Sequence, residues 1–138
     1  MMAVSNLQAA DAIDAARLMA ESTWEKRVLL VFAPNDDDTE FLQQDAVLQS
    51  IGDGLIERDM SVIRAFANDR LSVDGKAYEQ SAVSFYRQFA VQPGEFRAIL
   101  VGKDGTVKLN RRSAVSDEDL FSLIDSMPMR RQEMLQGG

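Results

Sequence analysis

A chain of 138 residues, 46% hydrophobic and 27% charged, has the length and balance of one folded domain, able to bury on the order of 70% of its unfolded surface. A net charge of −7 and a pI near 4.5 disfavour nucleic acid and anionic membranes, which require a basic field. With no cysteine and no histidine, disulfides, thiolate catalysis, His- or Cys-based zinc sites and Ser-His-Asp or Cys-His constellations are excluded.

Residues 5–22 are rich in alanine, with Leu7, Ala10, Ile13, Ala16 and Ala20 near helical spacing and a cap at Ser5 or Asn6. The start lacks the basic residues of a signal peptide, and Asp11 and Asp14 interrupt its apolar stretch. An exported form with its leader removed stays compatible with this. No apolar run approaches the roughly 20 residues that span a bilayer, so no membrane insertion is expected. Trp24 is expected to plug the core beside the first strand.

Residues 27–33, a run of Val, Leu and Phe bounded by Pro34, read as a central strand covered on both faces. Asp37 and Glu40 have the spacing of a capping box. The helix that follows carries Phe41, Val47, Leu48, Ile51 and Leu55 on one side, and Gly52 and Gly54 weaken its last turns. Residues 59–66 read as a second strand, parallel to the first through a βαβ crossover. Residues 67–78 form a loop or short extra hairpin around Asp74-Gly75. Ala82, Phe85, Tyr86 and Phe89 then mark a helix over 79–90, which Pro93-Gly94 ends.

Residues 96–101 form a third strand, Gly102-Lys-Asp-Gly105 a turn with Gly105 at positive φ, and residues 106–109 an antiparallel edge strand. Ser116-Asp-Glu-Asp119 opens the last helix, with Leu120, Phe121, Ile124 and Met127 as its core face. Pro128 is expected to stop that helix, and the polar tail from Met129 to Met134 to fold back. The order α-β-α-β-α-β-β-α predicts an α/β fold of thioredoxin type. It has a mixed sheet of about four strands, helices on both faces and an extra N-terminal helix. The units are an N-terminal helical extension (1–22), the main domain (23–134) and a flexible tail (135–138).

Three blocks resemble the P-DUDES family of thioredoxin-like domains: residues 24–34 (WEKRVLLVFAP), residues 96–109 (FRAILVGKDG through VKL) and residues 124–134 (IDSMPMRRQEM). That family occurs in bacterial proteins, often exported, and in vertebrate matrix proteins such as the sushi-repeat-containing ones. The resemblance covers roughly residues 22–134 and implies a thioredoxin-like scaffold. Thioredoxins place their reactive thiols at the strand-to-helix junction, which here holds Asn35, Asp36, Asp37, Asp38 and Thr39. Peroxiredoxins place a cysteine where Phe41 stands. Pro93 is the proline nearest the third strand, where thioredoxins carry a cis-proline.

Charge is unevenly spread. Residues 27–57 hold one arginine against seven carboxylates, and residues 97–115 hold five basic side chains against one acidic. Two roles follow. The first is a non-catalytic module that recognises another protein, through the Asn35–Thr39 loop or through Met129, Arg130, Arg131 and Lys103. Methionine packs adaptably and arginine recognises carboxylates with a planar fork. The second is a carboxylate- or metal-dependent enzyme on the same scaffold. A deep pocket at Asp36–Asp38 would favour chemistry, and a shallow surface at Met129 would favour binding. No cofactor and no resident metal are assigned, and the sequence leaves oligomeric state and compartment open.

Overall fold

A computed structural model describes residues 13–137. The expected cap at Ser5 or Asn6, with Leu7 and Ala10, lies outside the described residues. The elements are α1 (Ala15–Ser22), β1 (Arg27–Ala33), α2 (Thr39–Ser50), α3 (Gly52–Glu57), β2 (Met60–Phe66), β3 (Arg70–Val73), β4 (Lys76–Glu79), α4 (Ala82–Phe89), β5 (Arg97–Val101), β6 (Val107–Arg111), α5 (Asp117–Asp125) and α6 (Pro128–Gly137).

β1 is buried along its whole length, as its unbroken apolar run requires. Side chains alternate across the sheet, so the strand feeds two cores. Leu29, Val31 and Ala33 pack with Phe41 and Leu48 of α2, Leu55 of α3 and Leu120 and Ile124 of α5. Val28, Leu30 and Phe32 pack with Ala15 of α1 and Ala82, Phe85 and Tyr86 of α4. The result is the expected three-layer α/β fold of thioredoxin type.

The sheet has six strands in the order β4-β3-β2-β1-β5-β6, where about four were expected. β1 and β2 are parallel, with Leu30 opposite Ile63. β5 runs antiparallel to β1, with Leu30 opposite Ile99. The two additional strands are the β3–β4 hairpin, which closes at Asp74 (φ 51°) and Gly75 (φ 89°). Two successive left-handed residues suit the twist of a tight hairpin. The segment from 67 to 78 therefore extends the sheet.

Gly105 has φ 83°. Gly105→Val is expected to lower stability by about 1 kcal/mol or more, measured as a shifted urea midpoint. A midpoint equal to that of the parent chain would contradict the left-handed turn.

Two local expectations change. Pro128 begins α6, in the first helical position where its missing N–H is harmless. The preceding helix ends at Asp125, capped by Ser126. The tail is therefore helical, and α6 runs through Gly137, past the boundary placed at 134. Trp24 does not plug the core. It sits in the turn between α1 and β1 at φ 72°, with 62% of its surface exposed.

Candidate functional site

The Asn35–Thr39 loop joins β1 to α2 and is built as a helix start. Asn35 Oδ1 accepts from the Asp37 N–H at 2.9 Å. The cap is Asp38, one residue beyond the expected box, whose carboxylate accepts from the Phe41 N–H at 3.1 Å. Glu40 turns away to accept from the Ala114 N–H at 2.9 Å. Asp36 and Asp37 face solvent. Among the described residues no three carboxylates converge in a cation-binding group, and the loop lines none of the four clefts described.

A more organised arrangement forms at the opposite end of β1. Arg27 opens that strand and is 1% exposed. Its Nη1 donates to the Arg58 carbonyl at 2.9 Å, and Nη1 and Nη2 grip the two oxygens of Glu133, both at 3.1 Å. Its Nε is buried with no hydrogen-bond partner. Lys103, in the turn after β5, is 9% exposed. Its ammonium donates to Glu133 at 2.7 Å and to Asp59 at 2.8 Å. A second cluster holds the start of α6. Arg130, 4% exposed, donates to Asp125 at 3.0 Å and Glu57 at 2.7 Å. Arg58 clasps both oxygens of Asp125 and lies over the Phe121 ring at 3.8 Å.

The residues suggested for partner recognition thus separate. Met129 and Arg131 are exposed, whereas Arg130 and Lys103 point inward to carboxylates of the same chain. Sequence patterning marks none of Arg27, Glu133 and Asp59 as a site residue, and it reads Trp24 as part of the core. An arginine at the edge of an apolar run reads as a strand boundary, and its partner lies 106 positions away.

Burial opposes ionisation of Glu133, but hydrogen bonds from Arg27 and Lys103 outweigh it and hold its pKa below the usual 4.5. The Lys103 hydrogen bond likewise lowers Asp59, and the Arg58 hydrogen bond lowers Asp125, from 3.8. A carboxyl lowered in the folded state contributes stability that is complete above its unfolded pKa and lost as pH falls through the folded value. Docking of α6 is therefore expected to hold above pH about 5 and to weaken progressively below about 4. A larger loss of amide protection, relative to intrinsic exchange at each pH, in α6 than in β1 on acidification checks this. Protection in α6 that stays constant from pH 7 to 3 would contradict it.

Trp24, Arg27, Lys103, Lys108, Met127 and Met129 line a cleft of about 240 Å³ here. The Trp24 backbone N–H donates to the Lys103 carbonyl at 2.6 Å, which anchors that residue's backbone beside the β5–β6 turn. Lys108 pairs with Asp104 at 3.0 Å. Asp104 is depressed to about 2, first by the Thr106 backbone N–H and then by Lys108. The cleft joins apolar walls to buried cations.

A two-faced sheet with the βαβ-ββ-α core order, and no sulfur at its strand-to-helix junction, defines a thioredoxin-like domain without the thiols. Solved structures of that fold are similar. A reduced 2-Cys peroxiredoxin from Plasmodium vivax is 14% identical, with a TM-score of 0.62 and coverage of 82% of this chain and 83% of that one. Thioredoxin peroxidase I from Plasmodium yoelii is 16% identical, with a TM-score of 0.61 and coverage of 82% and 79%. At such identities the likeness is one of fold.

The chain belongs to the family described as "Domain of unknown function (DUF4174)", which matches residues 18–133. It is 33% identical over 128 residues to Coiled-coil domain-containing protein 80 of Danio rerio, covering 80% of this chain and 15% of the relative. It is 22% identical over 129 residues to the Sushi repeat-containing protein SRPX2 of Xenopus laevis, covering 90% of this chain and 28% of the relative. The chain thus spans a minor part of the length of these relatives. No helix among the described residues is long and apolar enough to cross a membrane.

Proposed function

We propose that the chain is a non-catalytic thioredoxin-like module, of the P-DUDES type that its sequence blocks resemble, and that it docks another protein over the Trp24 cleft. The observation that carries this reading is Trp24 itself. A left-handed backbone costs a non-glycine residue of order 1 kcal/mol or more, and an exposed indole forgoes the stabilisation of burial. Tryptophan is also the residue type most often found at the energetic centre of interfaces. Here it stands beside Met127, Pro128 and Met129, which together make an adaptable apolar wall.

The occurrence of similar segments within much longer relatives supports a module that works in the company of other chain segments. The Asp38 and Glu40 carboxylates are engaged in capping and loop anchoring, which favours this reading over one based on acid–base chemistry.

The test places a photo-crosslinking residue at Met129 and, separately, at Asp36 in the native host, and then rebuilds the complex from purified components. The expected result is one partner captured from Met129 and weakened at least tenfold by Trp24→Asn. Asparagine tolerates the left-handed backbone, so the fold is retained. Capture confined to Asp36, or a purified complex indifferent to Trp24→Asn, would overturn the reading.

A further inference from the structure

We propose that Arg27 and Lys103 form a carboxylate-binding site that Glu133 of α6 fills as an internal stand-in, to be displaced by a partner segment bearing an acidic side chain next to an apolar one. This rests on the reading of the Trp24 cleft as a docking site, and it names the chemistry of the occupant.

Three observations carry it. The first is the geometry around Glu133. A two-pronged grip from Arg27, both contacts at 3.1 Å, is joined by an ammonium at 2.7 Å. This is the arrangement by which proteins recognise a free carboxylate. The Arg27 Nε remains as a further buried donor without an acceptor. Once Glu133 is withdrawn, Asp59 is the one carboxylate still paired with these two cations among the described residues. A buried positive charge is then left over, and it demands an anion.

The second is the way α6 is held. Arg130 is its only buried residue, while Met134 and Leu135 face solvent. The helix is therefore attached by ion pairs rather than by an apolar face. Such attachment is easily exchanged for an equivalent ion pair from another chain, because the desolvation of Arg27 and Lys103 has already been met by the fold.

The third is continuity. Arg27 and Lys103 also line the cleft of about 240 Å³ whose other walls are Trp24, Met127 and Met129. An aliphatic side chain seated against Trp24 and Met129 shares the cleft with the two cations that now hold Glu133. Charge complementarity selects an acidic neighbour, since a basic one would meet Arg27, Lys103 and Lys108.

The experiment uses the full chain and two peptides, acetyl-Leu-Glu-Leu-Leu-amide and its Leu-Gln-Leu-Leu counterpart. The readout is the fluorescence of Trp24, the sole tryptophan. Glu133→Gln is expected to bind the glutamate peptide at least tenfold more tightly than the parent chain and to leave the glutamine peptide unchanged. Equal gains for both peptides, or none, would overturn the proposal. If Glu133→Gln lacks a cooperative thermal transition, Glu133→Asp serves, since it keeps the charge but draws it back by one methylene. It should give a gain in the same direction, and its failure to do so also overturns the proposal. Both peptides bound with one affinity in every variant would remove the displacement and leave the docking cleft standing. Silence of Trp24 towards both peptides also removes the displacement, and crosslinking from Met129 then judges the cleft alone.

Discussion

Gln44→Leu is expected to lower stability by about 2–6 kcal/mol, because it strands two buried backbone groups at once. Gln44 lies in the middle of α2 and is 0% exposed. Its Nε2 donates to the Val115 carbonyl at 3.0 Å, and its Oε1 accepts from the Val115 N–H at 2.8 Å. The side-chain amide thus pairs with a loop residue as a neighbouring strand would. Leucine is close in volume, so the cost is not that of a cavity. It is the desolvation of an N–H and a C=O with no partner, roughly 1–3 kcal/mol each. Gln43, next to it on the exposed side, is the control, and Gln43→Leu should stay within about 0.5 kcal/mol. Urea midpoints at constant m-value separate the two. Equal midpoints for the two variants would show that the pairing with Val115 contributes nothing.

The parts of this structure that could be read in the sequence are those set by neighbours along the chain. The β1 run, the βαβ order and the S-x-x-D cap are local patterns, and Ser116 does accept from the Asp119 N–H at 3.1 Å. Asp74-Gly75 and Gly105 carry their turn conformations in their residue types. The rest depends on partners far away in sequence. Gln44 has the look of an ordinary helix residue until Val115, 71 positions on, comes to meet it. Arg27 and Glu133 give no sign of each other.

The misjudged features share that origin. Proline is compatible with the end of one helix and with the first turn of another, and only the Arg130 contacts to Asp125 and Glu57 decide that Met127 separates two helices. Trp24 is apolar, but its backbone is pinned to the Lys103 carbonyl in a left-handed turn and its surface is 62% exposed. For the Asn35–Thr39 loop the residue types identified a helix start correctly, and the cap moved by one position to Asp38.

Arg27→Met tests whether α6 is held by charge. The substitution removes a guanidinium that is 1% exposed and takes from Glu133 two of its hydrogen bonds and from the Arg58 carbonyl one. Breaking a buried pair by deleting one partner costs about 3–5 kcal/mol. Glu133 is partly exposed and keeps Lys103, which places the expected loss at the lower end, about 3 kcal/mol. The double variant Arg27→Met, Glu133→Leu discriminates the cause. If the loss arises from a charge left half-paired, replacing both partners by apolar side chains should recover at least half of it, because well-packed apolar pairs often match buried ion pairs. If it arises from lost packing around β1, the double variant should be no better than the single one. Amide exchange adds the location. Opening in the single variant should be confined to α6, with β1 and β5 still protected to the global limit, since Val28 to Phe32 are held by two cores that Arg27 does not enter. Loss of protection in β1 alongside α6 would instead make the Arg27 cluster a part of the core, and α6 could then not leave without unfolding the domain.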